Sequence, residues 1–166
     1  MNIHNHETIR TILSEQKIPK MARVRQKLPD DAISDIPAAV RQALDRPEII
    51  GSIKPGMSVA VTAGSRGIEG MDIMLRETVQ FVKALGGKPF LIPAMGSHGG
   101  AVAEGQAEIL RQYGITEETM GAPIRATMET EYICDLPDGT PVYIDKYAKE
   151  ADGIIVVNRI KPHTGF

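Results

Sequence analysis

The run Gly56-Met57-Ser58-Val59-Ala60-Val61-Thr62-Ala63-Gly64-Ser65-Arg66-Gly67 decides the fold. Behind the turn signal Lys54-Pro55-Gly56, the residues Met57, Val59, Ala60 and Val61 make a short apolar strand over Gly56 to Thr62, and glycines close it. Met71, Met74, Leu75, Thr78, Val79, Val82 and Leu85 then share one face of a helix that Gly86-Gly87 ends. Pro89 to Pro93 is the next strand. Strand, crossover helix and strand in this order specify a parallel pair.

The same alternation extends in both directions. Downstream, Val102, Gln106, Ile109, Leu110 and Tyr113 mark a helix closed by Gly114, and Thr116-Glu117-Glu118 has the chemistry to cap a short turn. Ile124 to Met128 and Tyr132 to Leu136 are extended, and Pro137-Asp138-Gly139 turns the latter back onto Val142 to Asp145 as a hairpin. A brief helix over Lys146 to Ala151 precedes the most apolar strand, Gly153 to Val157. Upstream, Glu7 to Gln16 carries Ile9, Ile12 and Leu13 at helical spacing until Ile18-Pro19 stops it. The partial period-two pattern of Met21 to Leu28 predicts a half-exposed strand, with Arg23, Arg25 and Lys27 on its solvated face. Ile36, Val40 and Leu44, with Pro37 in the first turn, predict an amphipathic helix from Asp35 to near Pro47. The expected architecture is a single Rossmann-like α/β layered domain with a mainly parallel sheet over residues 1–166, in which 1–48 form an N-terminal arm and 49–166 the βα units. Ile160 to Phe166 reads as a loop with no following helix where a parallel architecture expects another crossover, so the chain reads as cut short at its C-terminus.

Composition narrows the partners. With 166 residues, 42% hydrophobic and 24% charged, the chain can bury a core. Its 19 Lys and Arg against 21 Asp and Glu, a net charge of −2, provide no electrostatic footprint for nucleic acid or anionic lipid. Aromatic residues at 4% and the absence of Trp also exclude base-stacking platforms. No run approaches the ~20 apolar residues of a membrane span, and the polar start Met1 to Gln16 is no secretory leader. The lone Cys134 can close no intramolecular disulfide and reads as a small buried hydrophobe, which places the protein in the cytoplasm.

Ligands of open α/β sheets bind outside the carboxyl ends of the strands, so the residues after each apolar run are the candidates. Three loops qualify: Ala63-Gly64-Ser65-Arg66-Gly67, Ala94-Met95-Gly96-Ser97-His98-Gly99-Gly100, and Asn158-Arg159-Ile160-Lys161-Pro162-His163. Arg66 can grip a carboxylate or phosphate with two parallel hydrogen bonds, and His98 and His163 carry imidazoles that pass protons near neutral pH. Glycine-rich turns also arise for steric reasons, and Gly64-x-x-Gly67 matches neither the dinucleotide fingerprint nor a Walker A loop. A lone histidine is more often structural than catalytic, and position after a strand is what separates these two from His4 and His6 in the polar start. Met71 and Met74 belong to a core stripe.

Taken in order, Val59-Ala60-Val61-Thr62-Ala63-Gly64-Ser65-Arg66, Gly96-Ser97-His98 and Lys161-Pro162-His163-Thr164-Gly165-Phe166 resemble the successive signatures of the nickel-dependent lactate racemase family, the LarA-like proteins. The resemblance runs from about Met21 to the end of the chain. It implies the N-terminal part of a longer two-domain racemase or epimerase of 2-hydroxy acids, inactive alone and completed by a C-terminal domain. It also implies a nickel-pincer pyridinium mononucleotide, tethered to a lysine and with a histidine on nickel, both downstream of Phe166, so no metal or cofactor is expected on these residues alone. By the same resemblance, His98 and His163 take the positions of the acid/base pair, Arg66 with Ser65 binds substrate, and Gly64, Ser97 and Gly99 line the cofactor. Two departures concern the substrate: lactate racemases carry an acidic residue at the position of Ala63 and an arginine at that of Gly99. The competing readings are a non-catalytic α/β module that binds a phosphorylated or carboxylated small molecule, and an interaction domain whose open sheet edge pairs with another chain.

Overall fold

The computed structural model describes residues 4–14, 16–17, 20–27, 31–64 and 67–160. The chain divides into two compact units, Met1–Ala32 and Ile33–Phe166. The first holds helix α1 (His4–Ser14), whose Ile9, Ile12 and Leu13 are exposed. The period-two stretch predicted as a strand is not one over its described residues 21–27. Met21 and Val24 are 91% and 84% exposed, so among the described residues the alternation meets neither a neighbouring strand nor a core. Leu28 lies outside the described residues.

The second unit is the predicted α/β layered domain. Strand β1 (Ser58–Ala63) lies at the centre of a three-stranded parallel sheet, between β2 (Lys88–Pro93) and β5 (Gly153–Ile155). Val59, Val61 and Ala63 face one side of the sheet and Ala60 the other, and all four are buried. On the first side, Val61, Ala63 and Leu91 pack on Met71, Leu75 and Val79 of α4 (Met71–Ala84) and on Ile109 and Leu110 of α5 (Ala103–Gln112). On the second side, Ala60, Phe90 and Ile92 meet Ala148 of α7 (Lys146–Glu150). Helix α2 (Ile36–Leu44), capped by the Asp35 carboxylate on the Ala38 amide, lies against α4, where Arg41 pairs with Glu77 at 2.6 Å. Pro47 starts a further short helix, α3 (Pro47–Ser52), where the sequence reading ends one; a proline fits the first turn, whose amide needs no partner.

The remaining elements refine the expected ones. Thr116 caps α6 (Glu117–Met120) in a reciprocal arrangement with Thr119. The extended stretch from Ile124 contributes one parallel bridge to the outer edge of β2, through Leu91 N to Pro123 O and Arg125 N to Leu91 O, both 2.8 Å. Strands β3 (Thr130–Asp135) and β4 (Pro141–Asp145) form the antiparallel hairpin. Cys134 on β3 is exposed, not buried, because a two-stranded ribbon has no further layer over this position.

Strand β5 ends at Ile155, two residues earlier than its apolar pattern runs. The Thr62 hydroxyl replaces the ladder there: its Oγ1 accepts from Val157 N at 2.9 Å, and the chain turns away. At the opposite end, Asp152 Oδ2 accepts from Ser58 N at 2.8 Å and from Ser58 Oγ at 2.7 Å. These two donors, the amide first, hold the Asp152 carboxyl below its ordinary value. A depressed folded-state pKa contributes stability above the unfolded value of 3.8 that is lost as pH falls through the folded one. Asp152→Asn is therefore expected to lower the urea midpoint near neutrality, with the gap to the parent closing below about pH 4. Midpoints measured across this range check it, and a gap independent of pH would refute the assignment.

Candidate functional site

Because β1, β2 and β5 are parallel, their carboxyl ends lie on one edge of the sheet. The chain passes from β1 to β2 on one side and later returns to β5 on the other, so the order reverses about β1. This is the crevice where open α/β sheets place ligands. The three loops singled out in the sequence begin at this edge. Ala94 N donates to Ala63 O at 2.8 Å, joining the second loop to the first, and Arg159 Nη1 donates to Gly67 O at 3.1 Å, joining the third to the first. Gly64 is buried at the end of β1, and a Cβ there would lie 2.8 Å from Ile68 Cδ1. Ser65, Arg66 and His163 lie outside the described residues.

His98 is described. It begins a single tight turn, His98–Ala101, and its amide donates to Met95 O at 3.3 Å. The residue is exposed, and its imidazole makes no hydrogen bond to any described residue, so both ring nitrogens are available to a ligand. Ser97 beside it is also exposed and caps nothing. The loop is held from below. Gln106 on α5 is 4% exposed and its Nε2 donates to Gly96 O at 2.7 Å. The sequence reading places Gln106 only in the buried stripe of a helix; the available signal was an amide at a position the periodicity reserves for an apolar residue.

After His98 the backbone takes three positive-φ residues in succession, Gly99 at 66°, Gly100 at 73° and Ala101 at 55°. For alanine this is a strained conformation, of order 1–2 kcal/mol. Gly99 also lies against α5: a Cβ on Gly105 would sit 1.9 Å from Gly99 O, and one on Gly99 would sit 2.5 Å from Gly105 C. Gly99 is thus required by packing as well as by φ, so an arginine is incompatible with this backbone at the position.

A cleft of about 190 Å³ lies against the wall of this loop, lined by Pro93 to Gly96, Gln106, Thr127 to Thr130 and Asp145. At its rim Lys146 Nζ pairs with Glu129 Oε2 at 2.5 Å, which raises the lysine pKa above its ordinary value. Among the described residues no set of three His, Cys, Asp or Glu side chains could hold a metal ion. No helix among them is long and apolar enough to cross a membrane.

A family model described as the lactate racemase N-terminal domain matches residues 4–166. The chain belongs to this family. The match covers the arm, the sheet and all three loops, which agrees with the ordered signatures in the sequence. No curated protein and no solved structure matches the chain.

The Gly99–Gly105 contact generates a prediction for this lactate racemase N-terminal domain. Gly105→Ala must displace the Gly99 carbonyl and is expected to cost about 1–3 kcal/mol, as overpacking does. Ala101→Gly relieves the left-handed strain and is expected to be neutral or stabilising by about 1 kcal/mol. Denaturant unfolding of both variants checks this; a neutral Gly105→Ala would show that the close approach is not maintained.

Proposed function

We propose that this chain is the N-terminal catalytic portion of a LarA-like racemase or epimerase of 2-hydroxy acids, completed by a C-terminal domain and by a nickel-pincer pyridinium mononucleotide. The observation that carries the reading is His98: an exposed, unengaged imidazole on a braced loop, at the carboxyl edge where the strand order reverses. In this reading the chain's own part is proton transfer and carboxylate binding. A cytoplasmic location accords with a single cysteine that has no partner for a disulfide.

In this reading Arg66, helped by Ser65, fixes the substrate carboxylate with its planar fork. One imidazole takes the hydroxyl proton and the other returns a proton after the carbonyl has turned its opposite face, while the cofactor, when bound, would supply the acceptance and return of the hydride. His98 and His163 are the pair, each serving one enantiomer as base and the other as acid. Gly64, Ser97 and Gly99 form the glycine-rich and hydroxyl-bearing surface toward the cofactor.

The test is racemisation of a panel of 2-hydroxy acids by the cofactor-loaded full-length protein. His98→Ala and His163→Ala are each expected to reduce turnover by about 10²- to 10⁴-fold, the usual worth of a positioned proton-transfer group. Arg66→Lys should raise KM, because an ammonium keeps the charge and loses the bidentate geometry. A parent protein that inverts no member of the panel would overturn the racemase reading, and unimpaired histidine variants would overturn the proton-transfer roles.

A further inference from the structure

The cleft beside the His98 loop is chemically one-sided. Gln106 lines it, is more than nine-tenths buried, and spends its Nε2 on Gly96 O, while its Oε1 accepts from no described residue. Since no buried polar side-chain atom among the described residues lacks a partner, this oxygen is open to the cleft, where it can accept from a ligand that brings a donor. Two carboxylates line the same space. Glu129 is engaged by Lys146, and Asp145 Oδ1 accepts from Ala148 N at 3.0 Å, which leaves its second oxygen without a described partner. Thr127 Oγ1 already accepts from Glu129 N at 3.0 Å and keeps its hydrogen to donate; Thr130 adds a second hydroxyl. The lining is therefore rich in acceptors, contains no cation of its own, and suits neutral hydroxyl groups better than a second carboxylate.

Size points the same way. A cleft of about 190 Å³ is many times the ~10–15 Å³ of accessible space that one water needs. A lactate methyl would leave most of it filled with water.

We infer that this cleft receives the tail of the substrate and selects 2-hydroxy acids with a hydroxylated, uncharged chain over those with a short alkyl or an anionic one. The inference rests on the racemase reading for the position of the reacting carbon near His98, and Gln106, Glu129 and Thr130 act here as specificity residues.

Three four-carbon acids separate the alternatives: 2-hydroxybutanoate, trihydroxybutanoate and hydroxybutanedioate, each presented to the cofactor-loaded full-length protein. Trihydroxybutanoate is expected to exceed 2-hydroxybutanoate in kcat/KM by about tenfold, the scale of one net hydrogen bond, with hydroxybutanedioate lowest. Glu129→Gln should raise the dicarboxylate severalfold, because Lys146 then faces the cleft unneutralised. Gln106→Leu should abolish the preference for trihydroxybutanoate, on top of whatever loss of turnover on all three acids follows from removing the brace on Gly96 O. Since Gln106 also braces the loop, Thr130→Val provides a second variant that should weaken the same preference without disturbing that brace. Equal kcat/KM for the three acids, or an order untouched by Glu129→Gln and Thr130→Val, overturns the inference. If none of the acids is inverted, the racemase reading fails first, and saturation-transfer NMR decides the cleft separately. Trihydroxybutanoate must then receive saturation from the parent and lose it with Thr130→Val; no transfer from the parent overturns the cleft as well.

Discussion

The burial of β1 on both faces and both edges is the constraint from which the rest follows. A strand with helices above and below and a parallel neighbour on each side has nowhere to carry polar chemistry except at its ends. The parallel arrangement then sends all three carboxyl ends to one edge. Of the described residues, His98 lies in a loop that begins at this edge, and the buried residues from Val59 to Ala63 support that edge from within the sheet.

The sheet is trimmed at both ends by side chains acting in place of backbone. Asp152 clasps Ser58 where β5 enters, and Thr62 takes over from the ladder where β5 leaves. Only Gly153 to Ile155 remain paired. A shorter β5 lets the chain separate from β1 at Val157, so that Asn158 and Arg159 pass over the first loop and reach Gly67. The two hydroxyls of β1, Ser58 and Thr62, thus stand at its two ends and each meets the chain of β5 or its flank.

Much of this was legible from residue patterns because the relevant signals are local. The β1 run, the α4 stripe and the Pro137-Asp138-Gly139 turn each contain their own explanation, and each element appears where its pattern lies. The failures have a common physical origin, since they concern what a segment packs against. Met21 to Lys27 alternates like a strand yet pairs with none among the described residues, and Cys134 sits in an apolar stretch that is left exposed. The site divides in the same way. The position of His98 after β2 follows from periodicity, whereas the brace from Gln106 is a tertiary contact between residues ten apart, and the cleft beside it draws on the β3 approach some twenty residues further on. Arg66 and His163 rest on sequence signatures alone.

The meeting of Gly99 with Gly105 has an evolutionary corollary. Two backbones that touch with no room for a Cβ on either side form one unit of inheritance, since neither position can acquire a side chain while the other stays fixed. A chain with an arginine after the loop histidine would have to start the following helix farther away, or along a different axis.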